Sequence, residues 1–249
     1  MIKIGIIGGS GLEKLSLFKD KKELNITTKF GNPSSTLFTG FVNDTEIAII
    51  SRHGRDHSIP PTNVNNRANI LSLKEAGCTH IIATTACGSL REEIERGDMI
   101  IIDQFIDFTR HRAVTFHENF EDGKVIHTPM ADPFDETLRN ILIQSANEKN
   151  LKHHTKGTVV TIEGPRFSTR AESNMFRLWG ADIINMSTAP EAILANEAGI
   201  PYAAIALSTD YDCWKTDEAP VTWDDILKVF NKNVENVTVL LMDAIGKIH

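Results

Sequence analysis

The stretch that decides the fold is Tyr202-Ala-Ala-Ile-Ala-Leu-Ser208, followed directly by Thr209-Asp210-Tyr211-Asp212. A short apolar run of this kind predicts a strand that is buried on both faces of a parallel sheet. Because side chains alternate along a strand, Asp210 and Asp212 are expected to project from the same side. Two close carboxyl groups in a partly dry site do not both ionise easily, so we predict that the pair shares a proton. A polar turn with aspartate as a cap is the alternative that this tetrapeptide leaves open.

Similar apolar runs alternate along the chain with stretches of helical pattern, which is typical of an α/β fold. The other predicted strands are Ile2–Gly8, Glu46–Ser51, His80–Thr85, Asp98–Gln104, Gly157–Ile162 and Asp182–Met186. The predicted helices are Asn63–Gly77, Pro133–Glu148, Ala171–Gly180, Pro190–Gly199 and Trp223–Ile248. A hairpin-forming stretch is predicted at Asn25–Val42 and a long irregular loop at Phe105–Pro129. Because no linker or repeat interrupts this pattern, residues 1–249 are predicted to form a single domain.

The composition narrows the class of protein. The chain is 41% apolar and 24% charged, as ordinary globular proteins are, and no run approaches the ~18 apolar residues of a membrane helix. A formal charge of −7 argues against nucleic acid as a main partner. The first residues lack the layout of a signal peptide, and the three cysteines show no paired spacing. We therefore expect a cytoplasmic protein with reduced thiols, although Cys87 or Cys213 as a nucleophile is a minor alternative.

Three predicted strands end in residues that suit an anion. These residues are Gly8-Gly9-Ser10-Gly11, Arg52-His53, and Thr84-Thr85-Ala86-Cys87-Gly88-Ser89. They offer backbone N–H groups, hydroxyls and a guanidinium, and a suitably protonated His53 would add a further donor. The glycine loop breaks the G-x-G-x-x-G register of dinucleotide-binding proteins, which argues against a dehydrogenase. Phosphate chemistry without a nucleotide fingerprint predicts inorganic phosphate as a substrate, and the histidines show no metal-ligand spacing.

With Glu163-Gly164-Pro165-Arg166-Phe167 and Asn185-Met186-Ser187, these motifs occur in the order seen in the trimeric purine nucleoside phosphorylase family. The chain resembles that family from residue 3 to about 245, and most resembles the branch that acts on S-methyl-5'-thioadenosine. The resemblance implies a single α/β domain with a mixed, twisted central β-sheet flanked by helices. It also implies homotrimers, or dimers of trimers, with each active site near a subunit boundary. The implied reaction uses inorganic phosphate as co-substrate, with no metal or other cofactor.

The resemblance further implies a role for each matching residue. Phosphate would be bound by Ser10, Arg52, His53, Thr85, Ala86 and Ser187. The nucleoside would be bound by Phe167, Ser168, Met186, Asp210 and Asp212, and His127 would reach the 5' substituent in a neighbouring subunit. Many members continue beyond the position of His249, so the resemblance implies a 5' pocket that is either more open here or closed differently. Trp223 stands where members often have a small aliphatic residue, and it either lines that pocket or covers the core.

Cleavage of the bond between a purine and ribose agrees with these residues. Positive charge builds on the sugar and negative charge on the leaving base, so a neutral Asp210 is expected to donate a proton to N7. Bound phosphate would stabilise the sugar cation and then attack C1'. Adenine has a hydrogen-bond donor at position 6 where 6-oxopurines have an acceptor, so Asp210 favours 6-aminopurines. The alternatives are a broader purine nucleoside phosphorylase, which also cleaves adenosine or 6-oxopurine nucleosides, and a non-catalytic nucleoside- or phosphate-binding protein.

Overall fold

A mixed β-sheet runs through the molecule, a computed structural model that describes residues 2–8, 19–217 and 222–249. In that part of the chain the strands are β1 (Lys3–Gly8), β2 (Lys19–Leu24), β3 (Leu37–Val42), β4 (Thr45–Ser51), β5 (His80–Ser89), β6 (Met99–Ile101), β7 (Gln104–Phe108), β8 (His153–His154), β9 (Thr158–Ile162), β10 (Ile183–Asn185) and β11 (Tyr202–Tyr211). The helices are α1 (Asn66–Glu75), α2 (Glu136–Glu148), α3 (Arg170–Leu178), α4 (Thr188–Glu197) and α5 (Trp223–Ile245).

Strand β5 lies inside the sheet and pairs with three different strands. The order β2-β3-β4-β1-β5-β10-β9-β7 forms the main path, while β11 pairs with β5 and β6, and β8 pairs with β6. The first half of β5 pairs in parallel with β1 as far as Ala83, and its end pairs in antiparallel with β10 from Gly88. Among the described strands, residues 84–87 of β5 therefore have β11 on one edge and no partner on the other. The sheet opens at this point, and the opening lies at the carboxyl ends of its parallel strands.

Helices cover both faces of the sheet and enclose two apolar cores. One core contains Ile70 and Leu73 of α1 with Ala192 and Leu194 of α4, and the other joins α2 to α5. Helices are therefore found at all five segments where they are predicted. The architecture confirms the predicted fold class, an α/β domain with a mixed central sheet flanked by helices. Among the described helices, none combines the length and apolar composition needed to cross a bilayer.

Predicted helix ends agree with the structure where glycine is required. Gly77, Gly180 and Gly199 follow α1, α3 and α4, and each has a positive φ of +85°, +89° or +69°. This left-handed conformation ends a helix at little cost only in glycine. At its other end α3 begins with a capping box, in which Thr169 and Glu172 satisfy each other's backbone N–H groups.

Several predicted boundaries are wrong, and tertiary pairing explains each difference. The predicted strand Asp98–Gln104 is two strands, because the chain leaves β11 after β6 and joins β9 as β7. Strand β7 also occupies the first residues of the predicted loop Phe105–Pro129. The strand predicted as His80–Thr85 continues to Ser89, because β11 and β10 both pair with its second half. The predicted hairpin Asn25–Val42 supplies only β3, whose antiparallel partners are the exposed, charged β2 and the following β4.

The packing of α5 gives a test of this core. Leu240 is fully buried against the sheet, whereas its neighbour Val239 is exposed. Leu240→Ala is expected to lower the free energy of unfolding by about 2–5 kcal/mol, because it removes buried methyl groups and leaves a cavity. Val239→Ala is the matched control and is expected to change it by less than about 1 kcal/mol. Urea denaturation of both variants measures the difference, and equal effects would contradict this placement of α5.

Candidate active site

A cavity of about 200 Å³ lies where the sheet opens beside β5. Ten of the residues predicted for the site line it, namely Arg52, His53, Thr85, Ala86, Phe167, Ser168, Met186, Ser187, Asp210 and Asp212. They come from the middle of β5, from the carboxyl ends of β4, β10 and β11, and from the segment that follows β9. The predicted phosphate-binding and base-binding residues therefore share one enclosure, which is the arrangement that a transfer between two substrates requires.

Three predicted site residues are not in this set. Ser10 lies outside the described residues, and Trp223 is described only as the first residue of α5, without its side chain. His127 is exposed, and its ring contacts Phe120 at 6.0 Å between centroids rather than lining the cavity. Its expected position in the site of a neighbouring subunit stays a prediction.

Arg52 at the end of β4 is buried and held by a carboxylate that the sequence analysis missed. Its Nε and Nη2 donate to the two carboxylate oxygens of Glu191 at 2.5 and 3.0 Å, and its Nη1 donates to the carbonyl of Thr84 at 2.9 Å. The Tyr202 hydroxyl donates to Glu191 as well, at 3.0 Å. These contacts use three of the five N–H groups of the guanidinium, so two are left for a ligand. They also pair the charge of Arg52 with a fully buried carboxylate.

His53 has a defined tautomer. Its Nδ1 lies 2.9 Å from the carbonyl of Ile59, and because a carbonyl only accepts, Nδ1 carries the proton. Burial above all, and then the charge of Arg52, lowers the pKa of His53 to about 4. The ring is therefore neutral near pH 7 and its Nε2 is an acceptor. This differs from the donor expected from the sequence: in this state His53 can accept a hydrogen bond from a protonated phosphate oxygen.

Hydroxyl groups of two strands meet at the same end of the cavity. Thr85 Oγ1 and Ser187 Oγ lie 3.1 Å apart, and both residues are buried. Ser187 is also the N-cap residue of α4, and its own side chain makes no capping bond within the described structure. A helix N-terminus attracts an anion through its free N–H groups and its dipole. This end of the cavity can therefore hold a phosphate ion.

The acidic pair lies over Gly88 at the other end. A β-bulge between Ser208 and Asp210 shifts the register of β11, so that Asp210 faces Gly88 across the ladder. A Cβ added to Gly88 would lie 3.1 Å from Asp210 Oδ2 and 3.5 Å from Asp212 Cβ. Both side chains therefore occupy the space above this glycine, as the alternation along the strand predicts.

The two carboxyl groups differ in their surroundings. The Thr209 hydroxyl lies 2.8 Å from Asp210 Oδ1 and 3.1 Å from the Cys87 carbonyl, and its proton serves one of these two acceptors. Burial raises the pKa of Asp212 above its ordinary value. Burial thus makes a proton easier to retain on Asp212 than on an exposed aspartate. That Asp210 is the neutral donor to N7 stays a prediction about the substrate complex.

Several buried polar atoms at the cavity wall make no hydrogen bond within the described part of the chain. Among the described residues, Thr84 Oγ1, Ser168 Oγ and Asp212 Oδ2 are buried without a hydrogen-bond partner, and all three residues line the cavity. An unpaired buried polar atom is costly, so such atoms cluster where a ligand supplies the missing bond. Phe167 lies beside them with 44% of its surface exposed, an open aromatic face for a planar base.

Met186 is held in place by a segment that the sequence analysis left as an irregular loop. Gly164, at φ +66°, packs so closely that an added Cβ would lie 2.4 Å from the Met186 sulfur. Arg112 donates to the Met186 carbonyl at 3.0 Å and to the Glu163 carboxylate at 2.8 Å. Although burial opposes it, hydrogen bonds from Arg110, Arg112 and His111 hold the pKa of Glu163 at about 2. The residues around Arg112 therefore stabilise one wall of the cavity within the same chain.

Sequence reasoning missed other cavity residues. His57 stacks on His53 with 4.6 Å between ring centroids, and Ile226 and Leu227 add apolar surface from the first turns of α5. Glu191 could have been suspected, since an acidic residue in an otherwise apolar helix needs a buried partner. Nothing local marks Ile226 or Leu227, because their spacing is that of any amphipathic helix.

Neither nucleophilic cysteine chemistry nor a metal centre is supported by the described residues. Burial raises the pKa of Cys87 far above its ordinary value, and burial also raises that of Cys213, which opposes thiolate formation. Within residues 2–8, 19–217 and 222–249, no cluster of three or more His, Cys, Asp or Glu side chains could hold a metal ion.

Comparisons with known proteins agree with this geometry. The sequence profile described as "Phosphorylase superfamily" matches residues 3–246. The S-methyl-5'-thioadenosine phosphorylase of Ciona intestinalis is 53% identical, with 98% of this chain and 88% of the relative covered. That of Xenopus tropicalis is 53% identical, with 99% and 89% covered. The methylthioadenosine phosphorylase of Schistosoma mansoni in complex with adenine has a similar structure, with a TM-score of 0.93, 46% identity, and 99% and 91% of the two chains covered.

The buried neutral state of His53 predicts a pH dependence of stability. Its folded pKa of about 4 lies below the 6.5 of an unperturbed histidine, so the unfolded chain binds the proton first as pH falls. The contribution of neutral His53 to the free energy of unfolding is present above pH 6.5 and is lost as pH falls toward about 4. Unfolding free energies of the wild type and His53→Asn, which keeps a donor for Ile59, are expected to converge over this window. The exposed His111→Asn is the control, and an equal pH response of both variants would contradict the assignment.

Proposed function

The chain belongs to the phosphorylase superfamily, and on this premise we propose that it cleaves S-methyl-5'-thioadenosine with inorganic phosphate. The products are adenine and 5-methylthioribose 1-phosphate. The observation that carries the proposal is the placement of an anion-binding end and a paired-carboxyl end in one cavity, along a single strand, β5. The chain is an enzyme of the pentosyltransferase class, and its relatives act on the same nucleoside.

Phosphate is the nucleophile. In this proposal it is held by Arg52, His53, Thr85, Ser187 and the backbone of Ala86, with Ser10 completing the set. The two free N–H groups of Arg52 and the hydroxyls donate to its oxygens, and neutral His53 accepts from its protonated oxygen. Held in line with the bond to the base, phosphate stabilises the sugar cation and then attacks C1'.

The acidic pair assists departure of the base. A purine that leaves from C1' accumulates negative charge, and a proton delivered to N7 neutralises it. Asp210 and Asp212 lie together over Gly88, and burial raises the pKa of Asp212, which supports a proton being held by this pair. The ionised partner then accepts from the 6-amino group of adenine. The Ser168 hydroxyl, unpaired in the empty cavity, supplies a further contact to the base edge.

The ribose and its 5' substituent lie in the apolar part of the cavity. Phe167 stacks on the base, and the backbone N–H of Met186 meets a ribose hydroxyl. Ile226 and Leu227 offer apolar surface that suits a methylthio group better than a hydroxyl. We assign Trp223 to the same region, and His127 to the corresponding pocket of a neighbouring subunit in a homotrimer.

The proposal includes no metal or organic cofactor, since phosphate is a co-substrate and the acid is a side chain. It also includes a cytoplasmic location, a role in purine and methionine salvage, and no nucleic-acid or membrane partner. A net charge of −7 supports the absence of nucleic-acid binding.

The direct test is adenine release from S-methyl-5'-thioadenosine, with adenosine and inosine in parallel, each with and without phosphate. We expect phosphate-dependent release that is fastest with S-methyl-5'-thioadenosine. Equal rates with adenosine would keep the mechanism and refute the 5' preference. Inosine as the best substrate would refute the role of the acidic pair, and no cleavage of any nucleoside would refute the function.

Asp210 provides a second test. Asp210→Asn places an amide donor where a 6-amino group also donates, so turnover of S-methyl-5'-thioadenosine should fall by about 10- to 100-fold while inosine is relatively favoured. The steady-state kcat/KM for both nucleosides measures the change in preference. Asp107→Asn, the same change at an exposed aspartate outside the cavity, is the control. An unchanged preference in the Asp210 variant would contradict the assignment.

A further inference from the structure

A buried asparagine lies directly behind the hydroxyls of the anion site. Asn185 ends β10 and stands in parallel register with Thr161 of β9, so the two side chains are neighbours on one face. Its side chain is buried and contacts Thr85, which lies 100 residues away in the sequence. Thr85 is one of the proposed phosphate-binding residues. We propose that Asn185 is a positioning residue that turns the Thr85 and Ser187 hydroxyls toward phosphate as donors. This inference rests on the proposed function.

The orientation of the Asn185 amide follows from groups that can only donate. The backbone N–H of Ala189, in the first turn of α4, donates to Thr161 Oγ1 at 3.0 Å. The Thr161 hydroxyl already accepts there, and its own proton goes to Asn185 Oδ1 at 2.9 Å. The backbone N–H of Ser187 approaches the same oxygen at 3.4 Å. Two donors therefore fix Oδ1 on this side and Nδ2 on the other.

The NH₂ group of Asn185 then determines the direction of the next hydrogen bonds. Nδ2 donates to Thr188 Oγ1 at 2.5 Å and to Thr85 Oγ1 at 3.3 Å. An amide NH₂ cannot accept, so the Thr85 oxygen accepts from it and the Thr85 proton points elsewhere. Its partners in the empty cavity are the Ala86 carbonyl at 3.0 Å and Ser187 Oγ at 3.1 Å. Hydrogen bonds thus run in one direction, from the start of α4 to the cavity.

This direction matters because the site has few uncompensated positive charges. Glu191 pairs with Arg52, and His53 is neutral near pH 7. Phosphate is then held largely by dipoles, and a hydroxyl contributes only if its proton is available to the anion. Because the Thr85 oxygen accepts from Asn185, its proton is directed away from Asn185, and phosphate can accept it in place of the Ala86 carbonyl or Ser187. Chains of hydrogen bonds also polarise one another in the same sense.

Asn185→Asp is the sharpest test because it replaces the NH₂ donor with an acceptor and keeps the shape of the side chain. A carboxylate accepts the Thr85 proton, which removes a donor from phosphate and adds negative charge beside it. We expect the KM for phosphate to rise about 10- to 100-fold, with the KM for the nucleoside and the kcat at saturating phosphate within about threefold of wild type. Thr161→Val removes the proton that orients the amide, and a smaller rise of about three- to tenfold is expected. Calorimetric titration with inorganic phosphate alone measures binding without turnover.

Controls separate positioning from folding. Asn174→Asp makes the same chemical change at an exposed position of α3 and should leave both KM values unchanged. A thermal unfolding curve for each variant reports whether it is folded. An unchanged phosphate KM in folded Asn185→Asp overturns the inference, and so does an equal rise of both KM values. If the wild type releases no adenine, yet binds phosphate more tightly than Asn185→Asp, the proposed function fails and the positioning role stands.

Discussion

The divergence of two strands from β5 is the constraint on which the site depends. Strand β1 follows β5 as far as Ala83, β10 meets it again at Gly88, and β11 pairs with it throughout. Between these points no described strand pairs with the second edge of β5, which leaves room for a ligand inside a sheet that otherwise has a dense apolar core. The same ladder sets Asp210 over Gly88, and a side chain at Gly88 would occupy the space of the carboxyl group. Fold and site therefore have a common origin in the pairing of one strand.

Charge is distributed unevenly between the two ends of the cavity. At the anion end, the guanidinium of Arg52 is matched by Glu191, and the contacts that remain are hydroxyls, backbone N–H groups and a neutral imidazole. At the other end, burial disfavours the charged form of Asp212, so a proton is available where a leaving base needs it. This distribution of charge suits cleavage of a neutral nucleoside. At the transition state the sugar is cationic, and it lies between phosphate and a leaving base that carries negative charge.

Particular residues show which parts of the fold and of the site can be predicted from the sequence. The apolar strand predicted at Tyr202–Ser208 and the helix ends at Gly77 and Gly180 follow from local patterns, because apolar runs and left-handed glycines act over a few residues. The continuation of β11 to Tyr211 does not, because it depends on pairing with the end of β5 beyond a bulge. The break between β6 and β7 does not follow from a local pattern. The apolar run predicts one strand, and the break arises because β6 pairs with β11 whereas β7 pairs with β9. The sequence also indicated which residues lie together, since ten predicted site residues line one cavity.

The sequence by itself determined which chemical groups this protein has and, through strand ends, roughly where they are. Only the tertiary structure decided what each group can do. Glu191 meets Arg52 across 139 residues, and Asn185 meets Thr85 across 100. The tautomer of His53 depends on a carbonyl six residues away that no pattern singles out. The physical reason is that proton position, charge balance and hydroxyl direction are properties of contacts, and these contacts form only when distant parts of the chain are packed together.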